Sequence, residues 1–410
     1  MRLLPFLPFA ATAAGAVDQK PFNSLLGHLA TVPSFAVPHN ASESTVFKPF
    51  DHLIDLSASE FTALGHPVFP HYKVRIKKSR FCDGTVNAYT GYIDVEARHL
   101  FFYFFESRSD PDTDDVIFWT NGGPGGSSST GLFMELGPCR VVNSTTTTFN
   151  PYGWNDKANV FFIDQPIGVG FSYADYGEAV SNTLDAAKDI SAFVAIFFEN
   201  FSKYKGRAFH MAGESYGLPR CQKWMKEACV DQLDDISCMA AWMFCETEIS
   251  NPLEATGLNP YDITKPCGGP IADVFCYPIN KEIKGYLSRP DVRSTLGVDE
   301  SVPQNFSLVS WEVNSAFMAS MDHVFPNQFY IAALLERGIR ALIYTGVNDF
   351  ACNWVGNDRM TRDMEWTGRE AFFVQPLRDW LVDGKVAGQT RSAGPLTFAT
   401  INDAGHMVGL

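Results

Sequence analysis

Three residues of this chain have the types and settings needed for nucleophilic acyl transfer. Ser215 lies between glycines in Gly213-Glu214-Ser215-Tyr216-Gly217, directly after the apolar run Ala208-Phe209-His210-Met211-Ala212. A serine on such a turn after a strand sits on strained backbone, with its hydroxyl projecting from the end of a sheet. Asp349 follows a second apolar run, Ala341-Leu342-Ile343-Tyr344, after a Thr-Gly-Val-Asn turn. His406 follows a third, Leu396-Thr397-Phe398-Ala399-Thr400-Ile401, in the loop Ala404-Gly405-His406-Met407. A hydroxyl, an imidazole to take its proton and a carboxylate to orient the imidazole make a catalytic triad. Elimination supports the base. After residue 100 the other histidines are His210, inside the run that feeds Ser215 and so a core or sheet histidine, and His323, which precedes Asp349.

A fourth element fits the same chemistry. The loop Asn121-Gly122-Gly123-Pro124-Gly125-Gly126-Ser127 follows the apolar run Val116-Ile117-Phe118-Trp119. Glycines let backbone N–H groups approach a ligand closely. A phosphate loop would end in Gly-Lys-Ser or Gly-Lys-Thr, and this one does not. The loop therefore reads as half of an oxyanion hole, with Gly123 N–H as one donor and the N–H of Tyr216, next after the nucleophile, as the other.

These pieces must be positioned by a sheet. Tyr92-Ile93-Asp94-Val95 and Leu100-Phe101-Phe102-Tyr103-Phe104-Phe105 flank a polar turn and predict a hairpin. Val116–Trp119 and Val160-Phe161-Phe162-Ile163 are short apolar runs of the kind buried on both faces. Apolar residues at Leu184, Ala187, Ile190, Phe193, Val194, Phe197 and Phe198 predict a helix within 181–201, capped by Ser181 or Asn182. Strands alternating with helices imply a mostly parallel sheet, with the site at the C-terminal strand ends. The order Ser, Asp, His along the chain is that of the α/β-hydrolase fold.

Composition sets the compartment and the partners. The chain has 410 residues, is 46% apolar and carries a net charge of −14, which fits a globular protein and argues against a nucleic-acid partner. Arg2, the apolar stretch from Leu3 to Ala11 and the small-x-small Ala14-Gly15-Ala16 read as a secretory signal over 1–16, too short and too proline-broken to span a bilayer. No other segment reads as transmembrane. Sequons at Asn40, Asn143, Asn200 and Asn305, with nine cysteines, agree with a secretory route. Residues 17–75 lack clear sheet signals and lead into the basic patch Lys73, Arg75, Lys77, Lys78 and Arg80, which fits a removable pro-segment or, almost equally, a poorly ordered leader. The catalytic core is then expected over 76–219 and 281–410. A cysteine-rich cap is expected over 220–280, where Cys221, Cys229, Cys238, Cys245, Cys267 and Cys276 form an even set.

Longer motifs carry a family resemblance from about residue 70 onward. Trp119–Ser128, Phe133-Met134-Glu135-Leu136-Gly137-Pro138, Asp164–Tyr173, Gly213–Gly217, Asn348–Trp354 and Gly405-His406-Met407-Val408 resemble serine carboxypeptidases, with the fungal vacuolar carboxypeptidase Y group the nearest type. The resemblance implies that Asn121, Gly122, Glu135 and Glu214 bind the free C-terminal carboxylate of a peptide. It implies the pairings Cys221–Cys245, Cys229–Cys238 and Cys267–Cys276. It also implies a free buried thiol at Cys352, sensitive to mercurials. Cys82 and Cys139 receive no partner.

Three departures from the family stand out. Gly217 runs directly into Leu218-Pro219-Arg220-Cys221, where several dozen residues, including a helix and a core strand, are expected. Gly126 stands where the family usually has a cysteine, bridged to one near Val309. The chain stops at Val408-Gly409-Leu410, where the family has a proline and a closing helix. The expected activity is release of C-terminal residues from peptides through an acyl-enzyme at acidic pH, in a vacuolar or extracellular setting, without metal or cofactor. The alternative is a shortened homologue with impaired or no catalysis. An esterase or acyltransferase on the same scaffold is disfavoured, because an ester offers Glu135 and Glu214 no carboxylate to bind.

Overall fold

The computed structural model describes residues 49–50, 52–66, 69–82, 84–214, 237–240, 251–322 and 327–408. Among these the strands form an eight-stranded sheet, a four-stranded sheet and two small hairpins. The larger sheet begins with antiparallel neighbours Thr62–His66, Phe69–Lys78, Ala88–Val95 and Arg98–Phe105. Ala158–Ile163 joins Arg98–Phe105 antiparallel, and Asp115–Asn121 and Phe209–Glu214 then add in parallel. The smaller sheet pairs Ala341–Gly346 with Leu396–Ile401 in parallel, then Lys385–Ala393 and Arg378–Val382 antiparallel. Parallel pairing is thus confined to the strands that carry the site, and antiparallel strands flank them.

The two-residue period of a strand explains the layers. In Arg98–Phe105, Phe102 and Phe104 face one apolar core while Phe101, Tyr103 and Phe105 face another. The first core is closed by the helix Thr183–Asn200, whose Asn182 side chain accepts from the Asp185 N–H at 2.9 Å and caps the free first turn. Phe193 and Phe197 of this helix pack on Phe161 with ring centroids 5.2 and 4.6 Å apart. The second core contains Trp119, Phe133 and Tyr286. The smaller sheet packs Leu396 and Phe398 against Leu335 and Phe372.

Several expectations are corrected. The sheet-free stretch does not extend to residue 75. Thr62–His66 and Phe69–Lys78 are strands, and Leu53, Leu56, Leu64, Val74 and Ile76 are buried in the first core. His210 is a sheet histidine, one of the two expected readings, with its ring half exposed and 2.9 Å from Asp115. Asn200 is buried, and its amide donates to the carbonyls of Gly65 and Ile196, so it is not presented for glycosylation in the fold. Asn143 and Asn305 are exposed, and Asn40 lies outside the described residues.

Cys82 and Cys139 are bonded to each other. The implied Cys267–Cys276 bridge is present, and Cys352 is a free, half-buried thiol. Cys238 is disulfide-bonded, while Cys221, Cys229 and Cys245 lie outside the described residues, as does His323. Gly126 and Val309, where the resemblance implies a disulfide in other members, face each other in an antiparallel bridge. The Ser127 N–H donates to Leu308 O at 2.8 Å, and the Ser310 N–H donates to Gly125 O at 2.9 Å. Among the described residues no helix is long and apolar enough to cross a membrane.

Candidate active site

Parallel register brings the acidic half of the site together. Strand Phe209–Glu214 pairs with Asp115–Asn121 so that Glu214 lies opposite Asn121. The Asn121 side chain is held by the Trp119 indole N–H at 2.8 Å and the Gly131 N–H at 3.1 Å, both donating to Oδ1. The short helix Gly131–Glu135 that follows is wholly buried and carries Glu135 toward Glu214. Burial raises the pKa of Glu135 well above the usual glutamate range, and the charge of Glu214 raises it further; His406 and Asn121 act in the opposite sense. Burial also raises Glu214. Among the described residues, one oxygen of each carboxyl has no hydrogen-bond partner. Two buried carboxyls side by side hold a proton between them, because ionising both would place like charges in a dry setting.

The basic half comes from the other sheet. Gly346 and Ile401 are paired at the ends of parallel strands, and the loops beyond them stay together through Asn348 N–H to Ala404 O at 2.9 Å. Glycine is required at this crossing. A Cβ on Gly346 would lie 2.1 Å from Gly405 O, and one on Gly405 would lie 2.3 Å from Tyr261 O. Out of these loops come Asp349 and His406, both buried, with Asp349 Oδ2 2.8 Å from His406 Nδ1. The Cys352 N–H donates to Asp349 Oδ1 at 2.9 Å and fixes the carboxylate.

Tyr261, from the segment expected to be a cap, completes the clamp. Its carbonyl accepts from the His406 N–H at 2.7 Å, and its ring lies 5.2 Å from the imidazole. Sequence reasoning missed Tyr261, which no local pattern marks.

The far ring nitrogen, His406 Nε2, points to Glu214 Oε1 at 3.6 Å, beyond hydrogen-bond range. Burial disfavours the imidazolium, but Asp349, Cys352 and Glu214 outweigh it and raise His406 well above the ordinary histidine range. Asp349 stabilises the cation whenever Nε2 holds a proton. Asp349, Cys352 and His406 offer three donor atoms within 4.8 Å of one another. Of these, Asp349 Oδ2 and His406 Nδ1 are engaged with each other.

The resemblance implied Asn121, Glu135 and Glu214 near the Asp349–His406 pair; in the fold Glu214 lies opposite Asn121 and its Oε1 is 3.6 Å from His406 Nε2. Gly122 and Gly123 follow Asn121 in the loop, and Gly123 has a φ of +123°. Ser215, Tyr216 and Gly217 lie outside the described residues; Glu214, next to Ser215 in the chain, is within them. A cavity of about 850 Å3 opens onto Glu135, Glu214, Asp349 and His406.

Comparison with known proteins agrees with this geometry. The serine carboxypeptidase family model matches residues 82–217 and 220–410. Carboxypeptidase Y of Candida albicans is 36% identical, over 83% of this chain and 74% of its own length. A vacuolar serine-type carboxypeptidase of Saccharomyces cerevisiae is 33% identical, over 91% of this chain and 85% of its own. The Candida alignment runs over 410 positions but takes in 83% of this chain, about 340 residues, so about 70 positions of the relative have no counterpart here. Among solved structures, the prohormone-processing carboxypeptidase Kex1 of Saccharomyces cerevisiae has the same fold, with a TM-score of 0.63 at 21% identity over 79% of this chain and 88% of its own. The chain therefore belongs to the serine carboxypeptidase family.

Proposed function

We propose that this chain removes C-terminal residues from peptides, with Ser215 as nucleophile, His406 as base and Asp349 as its orienting acid. The observation that carries the reading is the His406 imidazole, bonded to Asp349 on one side and facing Glu214 of the acid pair on the other. His406 Nε2 takes the Ser215 proton as Oγ attacks the last peptide carbonyl. The N–H groups of Gly123 and Tyr216 receive the oxyanion. The imidazolium returns the proton to the leaving amine, and water, deprotonated by the same nitrogen, releases the acyl group. Asn121, Gly122 and the protonated acid pair hold the substrate carboxylate. A secretory or vacuolar setting fits the signal-like N-terminus and the vacuolar relative.

One observation favours a second reading, a homologue with little or no activity: the family match breaks between Gly217 and Arg220, next to the nucleophile. A serine-directed phosphonofluoridate separates the two. Covalent capture at Ser215, lost in His406→Ala, supports the peptidase. Absence of capture at pH 7, with the chain folded by circular dichroism, supports the inactive homologue.

A further inference from the structure

Two strand edges face the same cavity. Among the described residues, Phe209–Glu214 pairs on one side only, with Asp115–Asn121, and Ala341–Gly346 on one side only, with Leu396–Ile401. Gly213 and Glu214 from the first, and Leu342 to Thr345 from the second, line the cavity of about 850 Å3. Met211 and Leu342, in the middle of these strands, are 65% and 60% exposed. The cavity lies beside the break in the family match, three residues after Glu214. An unpaired edge offers a row of N–H and C=O groups to any extended chain that can reach it.

Both strands end at the site. Glu214 ends the first strand 3.6 Å from the His406 ring, and Gly346 ends the second three residues before Asp349, which bonds the same ring. A peptide lying parallel to them therefore arrives at Glu135, Glu214 and His406 with its own C-terminus. The shared proton lets the acid pair donate a hydrogen bond to a carboxylate, which two ionised carboxylates could not do. The six-residue edge Phe209–Glu214 is about 20 Å long at ~3.3 Å per residue. The cavity volume falls within the roughly 300–1,000 Å3 of ligand sites.

We propose that the substrate itself occupies this slot: an extended peptide adds as a parallel strand to the open edge of Phe209–Glu214, with its terminal carboxyl on the acid pair and its last peptide bond beside His406. The proposal rests on the carboxypeptidase reading and adds the binding mode. Main-chain hydrogen bonds then supply affinity. Binding extends several residues upstream of the cleaved bond and needs free backbone N–H groups at alternate positions.

The test is fluorescence anisotropy with the full chain at pH 5, using an N-labelled hexapeptide and the N-labelled dipeptide of its last two residues. The hexapeptide should bind at least tenfold more tightly. N-methylation at one alternating set of its upstream amides should abolish the gain, and at the other set should leave it. Affinities within twofold of each other, or a gain that survives methylation of both sets, would overturn the strand mode. A chain that sediments as a dimer and is not dissociated by the hexapeptide would also overturn it, since a second copy then holds the edges. Release of the C-terminal residue is followed in the same samples and judges the enzyme reading separately. Length-dependent binding without release sinks hydrolysis and keeps the slot. Release with no length dependence does the reverse.

Discussion

The His406 ring stands between two carboxyl groups, bonded through Nδ1 to Asp349 at 2.8 Å and facing Glu214 through Nε2 at 3.6 Å. Only the first contact is a hydrogen bond, and under the proposed mechanism Nε2 is the atom that takes the Ser215 proton. Asp349→Asn should preserve the fold but present the wrong tautomer. A fall in kcat of about 10^4 is expected, with KM little changed. Steady-state hydrolysis of an N-blocked dipeptide, alongside a melting curve, checks this. Retention of more than a tenth of the activity would remove Asp349 from the triad.

The acid pair predicts the direction of the pH effect. Both Glu135 and Glu214 are raised, so the site keeps a proton at pH values where a free glutamate has lost it. As pH rises through those raised values the pair ionises and repels the substrate carboxylate. KM should therefore climb toward neutral and alkaline pH. In Glu135→Gln one partner can no longer ionise, and the climb should flatten. A KM profile from pH 4 to 8 that is flat in the parent chain would count against the assignment.

Stability should also fall as pH rises out of the acid range. Burial moves Asp164 up to about 6, against the opposing bonds from Ser127, Phe171 and Ser128. A carboxyl raised in the fold binds its proton more tightly there than in the unfolded chain. Its contribution is complete below the unfolded value and is lost as pH rises through the folded one. From about 4 to about 6 the loss is on the order of 3 kcal/mol. Asp94, Asp262 and Asp299 are lowered and act in the opposite sense, losing stability as pH falls below the ordinary aspartate range. A melting-temperature maximum between about pH 4 and 6 is expected. Asp164→Asn should flatten the decline on the alkaline side of that maximum.

The Cys82–Cys139 bridge closes a loop of 57 residues. The chain-entropy estimate for such a loop is about 4 kcal/mol. The double variant Cys82→Ser, Cys139→Ser should lower the urea midpoint accordingly while leaving the catalytic loops in place. An unchanged midpoint would mean that the buried surface around Cys139 holds without the staple.

Much of the site was legible because its strands are short apolar runs ending in glycine-bearing turns, a local signal. The Phe69–Lys78 strand was not, because its basic residues read as a processing signal. In the fold Val74 and Ile76 turn inward while Arg75 pairs with Asp94 at 2.6 Å and stacks on Tyr92. Lys77 lies over Phe61 and donates to Ser294 O. Those charges are satisfied by residues up to 217 positions away, which no window along the sequence can reveal. The same holds for the pairing of Cys82 with Cys139 and for the hold of Tyr261 on His406.

The contact between Gly126 and Val309 carries a consequence for handling the protein. The glycine-rich loop is fastened there by backbone pairing in place of sulfur. A thiol reductant that cuts Cys82 from Cys139 has nothing to cut at this seam, so the glycine-rich loop should keep its position in a reducing solution.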